Sequence, residues 1–252
     1  MRNRIKVLSV ILSMIITVTN LMSMYIFAAE LSIGGISASD LEGERTNVIY
    51  LEGKPGDTHL VYSYEQNGNI FKVVESSTDD FECVESHIFQ LNEQGKYIEN
   101  SIQQVTIGDN GNPEIVIFSS DGDVEWRTID ITHMEVDGPS VCVENWEWIT
   151  QYYDGSRGGL KGLAISALIS VISAIATYYS AGALTAGVVA GASTIASALF
   201  AQNAEKVYYH TIYNWRHSPK SYFVIDETEW TEFFIDSSYI YSLGYTYDEW
   251  IY

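Results

Sequence analysis

From Gly162 to Ala204, 43 consecutive residues contain no Asp, Glu, Lys or Arg, in a 252-residue chain with 33 acids and 13 bases. A stretch this long without charge fits two surroundings only, the hydrocarbon of a bilayer or a dry protein interior. SAGA (Ser180 to Ala183) divides it into two helical candidates, Leu163 to Tyr179 and Leu184 to Asn203. Each is near the length of ~17–25 residues that spans a hydrocarbon core.

Small residues recur at four-residue intervals in both arms: Ser166, Ser170 and Ala174 in the first, Ala183, Gly187 and Gly191 in the second. On a helix such positions form one smooth stripe along which backbones approach closely. The spacing predicts a tight antiparallel helical hairpin. Its apex, Tyr178, Tyr179, Ser180, Ala181 and Gly182, is also uncharged. Charge resumes at both bases, with Arg157 and Lys161 before and Glu205 and Lys206 after. Tyr208, Tyr209, Tyr213 and Trp215 follow, at positions suited to the headgroup level of a membrane.

Three readings of the pair compete. A permanent transmembrane hairpin is disfavoured by its Ala, Ser, Thr and Gly content, because even Leu-type residues favour insertion by only about 0.3–0.6 kcal/mol each. The pair can instead be the core of an ordinary soluble protein. The third reading is conditional insertion, with the hairpin buried at first and membrane-embedded after a trigger. It draws on the absence of charge from both arms, since a helix with one wet face normally carries charges along it.

Around the pair lie two zones of different composition. Residues 30 to 150 alternate as strands do, in THLVYSYE, IFKVVES, EIVIFSS and VEWRTIDIT, with turn signals at GKPGD, Asn67-Gly68, NGNP and DGD. From Tyr208 to the end, 45 residues hold nine of the 18 Tyr and three of the six Trp. There YIYSLGYTYDEW alternates on both sides of Leu243-Gly244 and reads as a terminal hairpin. The expected fold is therefore α+β. It has an antiparallel β-rich domain (30–150, meander or sandwich), a helical hairpin (151–207) and a short aromatic-rich region (208–252).

Residues 1–29 have the layout of a secretory signal peptide: MRNRIK, then an apolar run from Val7, then Ala28 and Ala29 before the first acid, Glu30. The expectation is a secreted protein, at the cell surface or otherwise extracellular. Without this segment the charge is 10 − 33 = −23, against −20 for the whole chain. That excludes nucleic acid as a partner, and it excludes simple attraction to anionic lipid. Insertion would need a receptor or acid. Cys83 and Cys142 are an even pair, open to a disulfide or to two buried thiols.

No catalytic, cofactor or metal motif stands out. The five histidines include no HExxH pattern. His210 and His217, seven apart, have Asp226 and Glu227 nearby, but no three-ligand set is defined. Ser119 and Ser120 beside Asp121 lack a nucleophile elbow, and Cys142 with His133 has no recognisable frame. DGDVE lacks the ligand series of a calcium loop. The chain is expected not to be an enzyme.

GLAISALISVISAIATYYSAGALTAGVVAGASTIASALF, Gly162 to Phe200, resembles the hydrophobic segment of large secreted bacteriocins of the geobacillin type and of hairpin-bearing pore-forming bacteriocins. The likeness covers about 40 residues and is one of pattern. The pore-forming kind sets its hairpin in a helical bundle, whereas this chain surrounds it with strands. The resemblance implies a secreted, toxin-like protein that acts on a target-cell membrane or membrane receptor. The alternative is a secreted surface-binding module. In it the hairpin is only a structural core, and the Tyr/Trp-rich tail contacts a polymer or protein partner.

Overall fold

Asn67 and Gly68 both take positive φ, 51° and 76°. That is the type I′ turn expected of Asn-Gly, and it sets Gln66 opposite Asn69. The computed structural model describes residues 43–132, 134–135, 148–178, 185–218 and 221–251. Seven strands follow in chain order: β1 (Thr46–Glu52), β2 (His59–Gln66), β3 (Asn69–Ser77), β4 (Cys83–Leu91), β5 (Tyr97–Ile107), β6 (Pro113–Ser119) and β7 (Val124–Thr128). Each pairs antiparallel with the next, so the first sheet is a simple meander, β1-β2-β3-β4-β5-β6-β7.

A second sheet has the order β12-β11-β10-β9-β8. Its strands are β8 (Met134–Glu135), β9 (Ile149–Arg157), β10 (Val207–Ser218), β11 (Ser221–Phe234) and β12 (Ser242–Ile251). Two helices separate β9 from β10: α1 (Ile165–Ala176) and α2 (Ala186–Gln202). One buried cluster runs through both sheets and both helices.

The helices lie between the inner faces of the sheets. α1 packs on β3, β4, β5 and β6, and on its other side meets α2 and β11. All 12 of its residues are buried. α2 packs on α1 and β12, and Phe200 sets its ring edge-on to Tyr62 and Tyr64 of β2. A helix enclosed on every side has no wet face and so needs no charged residue. This accounts for the absence of charge from α1 without a bilayer, whereas α2 leaves Ala186, Gly187, Ala190 and Thr194 exposed and is uncharged for no reason of burial.

Neither helix has an acid in its first turn. The negative groups their N-termini favour come from strands instead. At α1, Ser166 N–H donates to Glu75 Oε2 (2.8 Å), Tyr62 O–H donates to Glu75 Oε1 (2.7 Å), and Ile165 N–H donates to Tyr62 Oη (3.2 Å). Gln103 accepts from Ala164 N–H (2.9 Å) and donates to the Gly162 carbonyl (2.8 Å). Arg45 donates to the Leu163 carbonyl and lies over the Phe200 ring. At α2, Thr185 accepts from Val188 N–H, and the Asp248 carboxylate of β12 lies beside Thr185.

The α+β expectation is corrected on this evidence of layers: the protein is mostly β, with two antiparallel sheets and two short helices. No long apolar hairpin forms, because the helices have 12 and 17 residues. Among the described residues, no helix is long and apolar enough to cross a membrane. The aromatic tail is not an appended hairpin either. Gly244 sits inside β12 opposite Phe233, with φ +133° and Ile195 beneath it, so the apparent turn is continuous strand. Alternating aromatic and β-branched residues favour that pairing.

Candidate functional site

Strand alternation divides the second sheet into two unlike faces. In β10, Val207, Tyr209 and Thr211 point inward and are buried, and in β11 Thr231 and Phe233 do the same. A backbone approach at Gly155 makes room for Tyr209, since a side chain there would overlap its ring. The buried Tyr209 phenol is pushed up to about 12, mainly by desolvation. Tyr209, Tyr213 and Trp215 share one parity of β10, that of the buried Val207 and Thr211, and Tyr208 has the opposite one. Tyr213 and Trp215 stack with centroids 5.1 Å apart.

The other face points away from the helices, and the register aligns its side chains in rows across four strands. One row is Tyr152, Ile212, Trp230 and Tyr247. The adjacent row is Asp154, His210, Glu232 and Tyr245. On the other side lie Thr150, Asn214, Thr228 and Glu249. Strands are ~4.8 Å apart, so the aromatic row extends for roughly three such steps, or about 14 Å.

Much of this surface is open. Tyr245 is 56% exposed, Tyr247 46% and Tyr152 38%. Trp230 rests beside Tyr245, with centroids 6.0 Å apart. His210 stacks on Tyr152 and hydrogen-bonds Asp154. Thr150 donates to Asn214, which donates in turn to Thr228 (3.1 Å). Burial and the neighbouring Glu249 raise the Tyr247 phenol, keeping it a neutral hydrogen-bond donor. Flat rings flanked by carboxylates, an amide and hydroxyls suit a ligand with apolar faces and a hydroxylated rim.

The other predicted residues lie elsewhere. Ser166, Ser170 and Ala174 are buried in α1. Gly187 and Gly191 face β12, where a Cβ on Gly191 would come within 2.6 Å of the Tyr245 carbonyl oxygen. Tyr178 is partly exposed just after α1, and Tyr179, Ser180, Ala181, Gly182 and Ala183 lie outside the described residues. Cys83 is an exposed free thiol at the start of β4, and Cys142 lies outside the described residues.

Arg216 pairs with Asp226, and His210 with Asp154, so neither acid nor imidazole there converges on a metal position. Among the described residues, no group of three His, Cys, Asp or Glu side chains could hold a metal ion. Asp121 to Asp123 form the β6–β7 turn, closed by the Ser119 N–H to Asp123 carbonyl bond. No protein-family model, curated protein or solved structure matches the chain.

Proposed function

We propose that this is a secreted, surface-associated binding protein whose outward face on β9–β12 holds a neutral polysaccharide. The carrying observation is the outward row of Tyr152, Ile212, half-buried Trp230 and Tyr247 with Tyr245 beside it, bordered by hydrogen-bonding side chains. Pyranose rings present apolar C–H faces that stack on aromatic rings, with hydroxyls at the edge for Asp154, Glu232, Asn214 and Glu249. A chain with a formal charge of −20 repels polyanions, so an acidic polysaccharide is disfavoured, and the stacking rings favour a neutral one.

The helices serve this reading as the support of the platform. For α1 to enter a bilayer, the two sheets would have to part and expose Tyr62, Val73, Ile115 and Phe233, all fully buried. Each such large side chain stabilises the packed state by about 1.5–3 kcal/mol.

Retention on insoluble neutral cell-wall polysaccharide tests the proposal. Wild-type protein should be retained, and W230A, Y245A and Y247A should each weaken retention roughly tenfold, with unchanged unfolding midpoints. Equal retention of the triple variant, or dye release from liposomes by wild type and triple variant alike, would contradict it.

A further inference from the structure

A cavity of about 340 Å³ lies away from the sheet face, between the C-terminal half of α1 and two hairpin loops. Three observations define its chemistry. Ser170 and Ser173 line it, are 1% and 3% exposed, and have hydroxyls with no hydrogen-bond partner. Serines and threonines elsewhere in these helices behave differently: Thr177, Ser193, Thr194 and Ser197 all donate to the carbonyl four residues back. A buried hydroxyl left unpaired is costly, so two on one side of a cavity mark a place for a polar group.

The walls between these hydroxyls and the opening are apolar, with Phe81, Ile131 and Ala174. Around the opening are Asp80, Glu82 and Asp109. Hydrogen bonds from the Thr78 side chain and the Glu82 N–H hold the Asp80 carboxyl below its usual range, so it stays ionised. The α1 C-terminus has no basic residue in its last turn, and its partial negative charge adds to that of the acids. Among the described residues, no Lys or Arg lines the cavity.

We infer that this cavity binds a small primary amine with an apolar body and a hydroxyl at its far end. The ammonium sits at the acidic opening, the body lies between Phe81, Ile131 and Ala174, and the hydroxyl reaches Ser170 and Ser173. A divalent metal is not the occupant, because these carboxylates do not converge as a ligand set. The inference is independent of polysaccharide binding, since no residue is shared between the two surfaces.

The test uses three probes followed by backbone amide shifts of the labelled protein: tyramine, phenethylamine (no hydroxyl) and 4-ethylphenol (no charge). Tyramine should bind saturably, shifting Gly108, Gly111 and Ala174, and the other two should bind about five- to tenfold more weakly. S170A/S173A should abolish the preference for tyramine over phenethylamine while keeping that over 4-ethylphenol. D80N/D109N should do the reverse. Both alanines favour the helix, so loss of fold does not explain the first result. No saturable binding of tyramine, equal affinity for all three probes, or an intact tyramine preference in S170A/S173A would overturn the proposal.

Discussion

Glu75 is an acid on the inward side of a strand, two residues after the buried Val73. Its lone charge in an apolar parity is the one sequence signal that would have located it. Its partner is 91 residues away in Ser166, and no local pattern links the two. Burial pushes the Glu75 carboxyl above its ordinary value of 4.5, although Ser166 and Tyr62 hydrogen bonds pull it down. For an acid raised in the folded state, the stabilising contribution is complete below the ordinary value. It is lost as pH rises through the folded one. Acid therefore tightens this contact and does not release α1.

The stability difference between wild type and E75Q, from urea unfolding, should fall as pH rises from 4.5. A difference that grows with pH would contradict this. E75L should cost about 2–5 kcal/mol at pH 4.5, and less as pH rises, since it strips acceptors from the buried Ser166 N–H and Tyr62 O–H.

At the scale of elements, the positions of the two helices were legible, but their lengths and their layer in the fold were not. Leu163 to Tyr179 and Leu184 to Asn203 became Ile165–Ala176 and Ala186–Gln202. Asn67-Gly68 likewise announced its hairpin. The small-residue stripe was legible as close packing, but its partner was not. Gly191 admits the backbone of β12, a strand more than 50 residues later in the chain. Gly244 misled in the other direction, because a glycine inside a strand has the same local signature as a turn.

These glycines differ in their room. G187A meets its nearest atom at 3.5 Å and should raise stability by up to about 1 kcal/mol, through helix propensity. G191A meets a carbonyl at 2.6 Å and should lower it by roughly 1–3 kcal/mol, read as a fall in the urea midpoint. Equal effects of the two substitutions would show that α2 does not rest on β12 through Gly191.

For the molecule as a whole, an uncharged segment such as α1 is degenerate between hydrocarbon and a protein interior closed on all sides. The sequence around Gly162 to Ala204 cannot separate them, because the second wall, β10–β12, comes after the helices in the chain. The aromatic tail, which comes after the helices in the chain, forms strands of the second sheet. Its outward row then follows from register, which alternation alone leaves open.

The central claim is that α1 is the permanent middle layer of the fold. Amide hydrogen exchange at Ile169, Ile172 and Ile175, with and without liposomes at pH 5 and pH 7, tests it most directly. These amides should exchange as slowly as those of Val73 and Ile115, through global unfolding alone, and liposomes should leave them unchanged. Exchange at α1 faster than in the sheet strands, or altered by liposomes, would contradict the account.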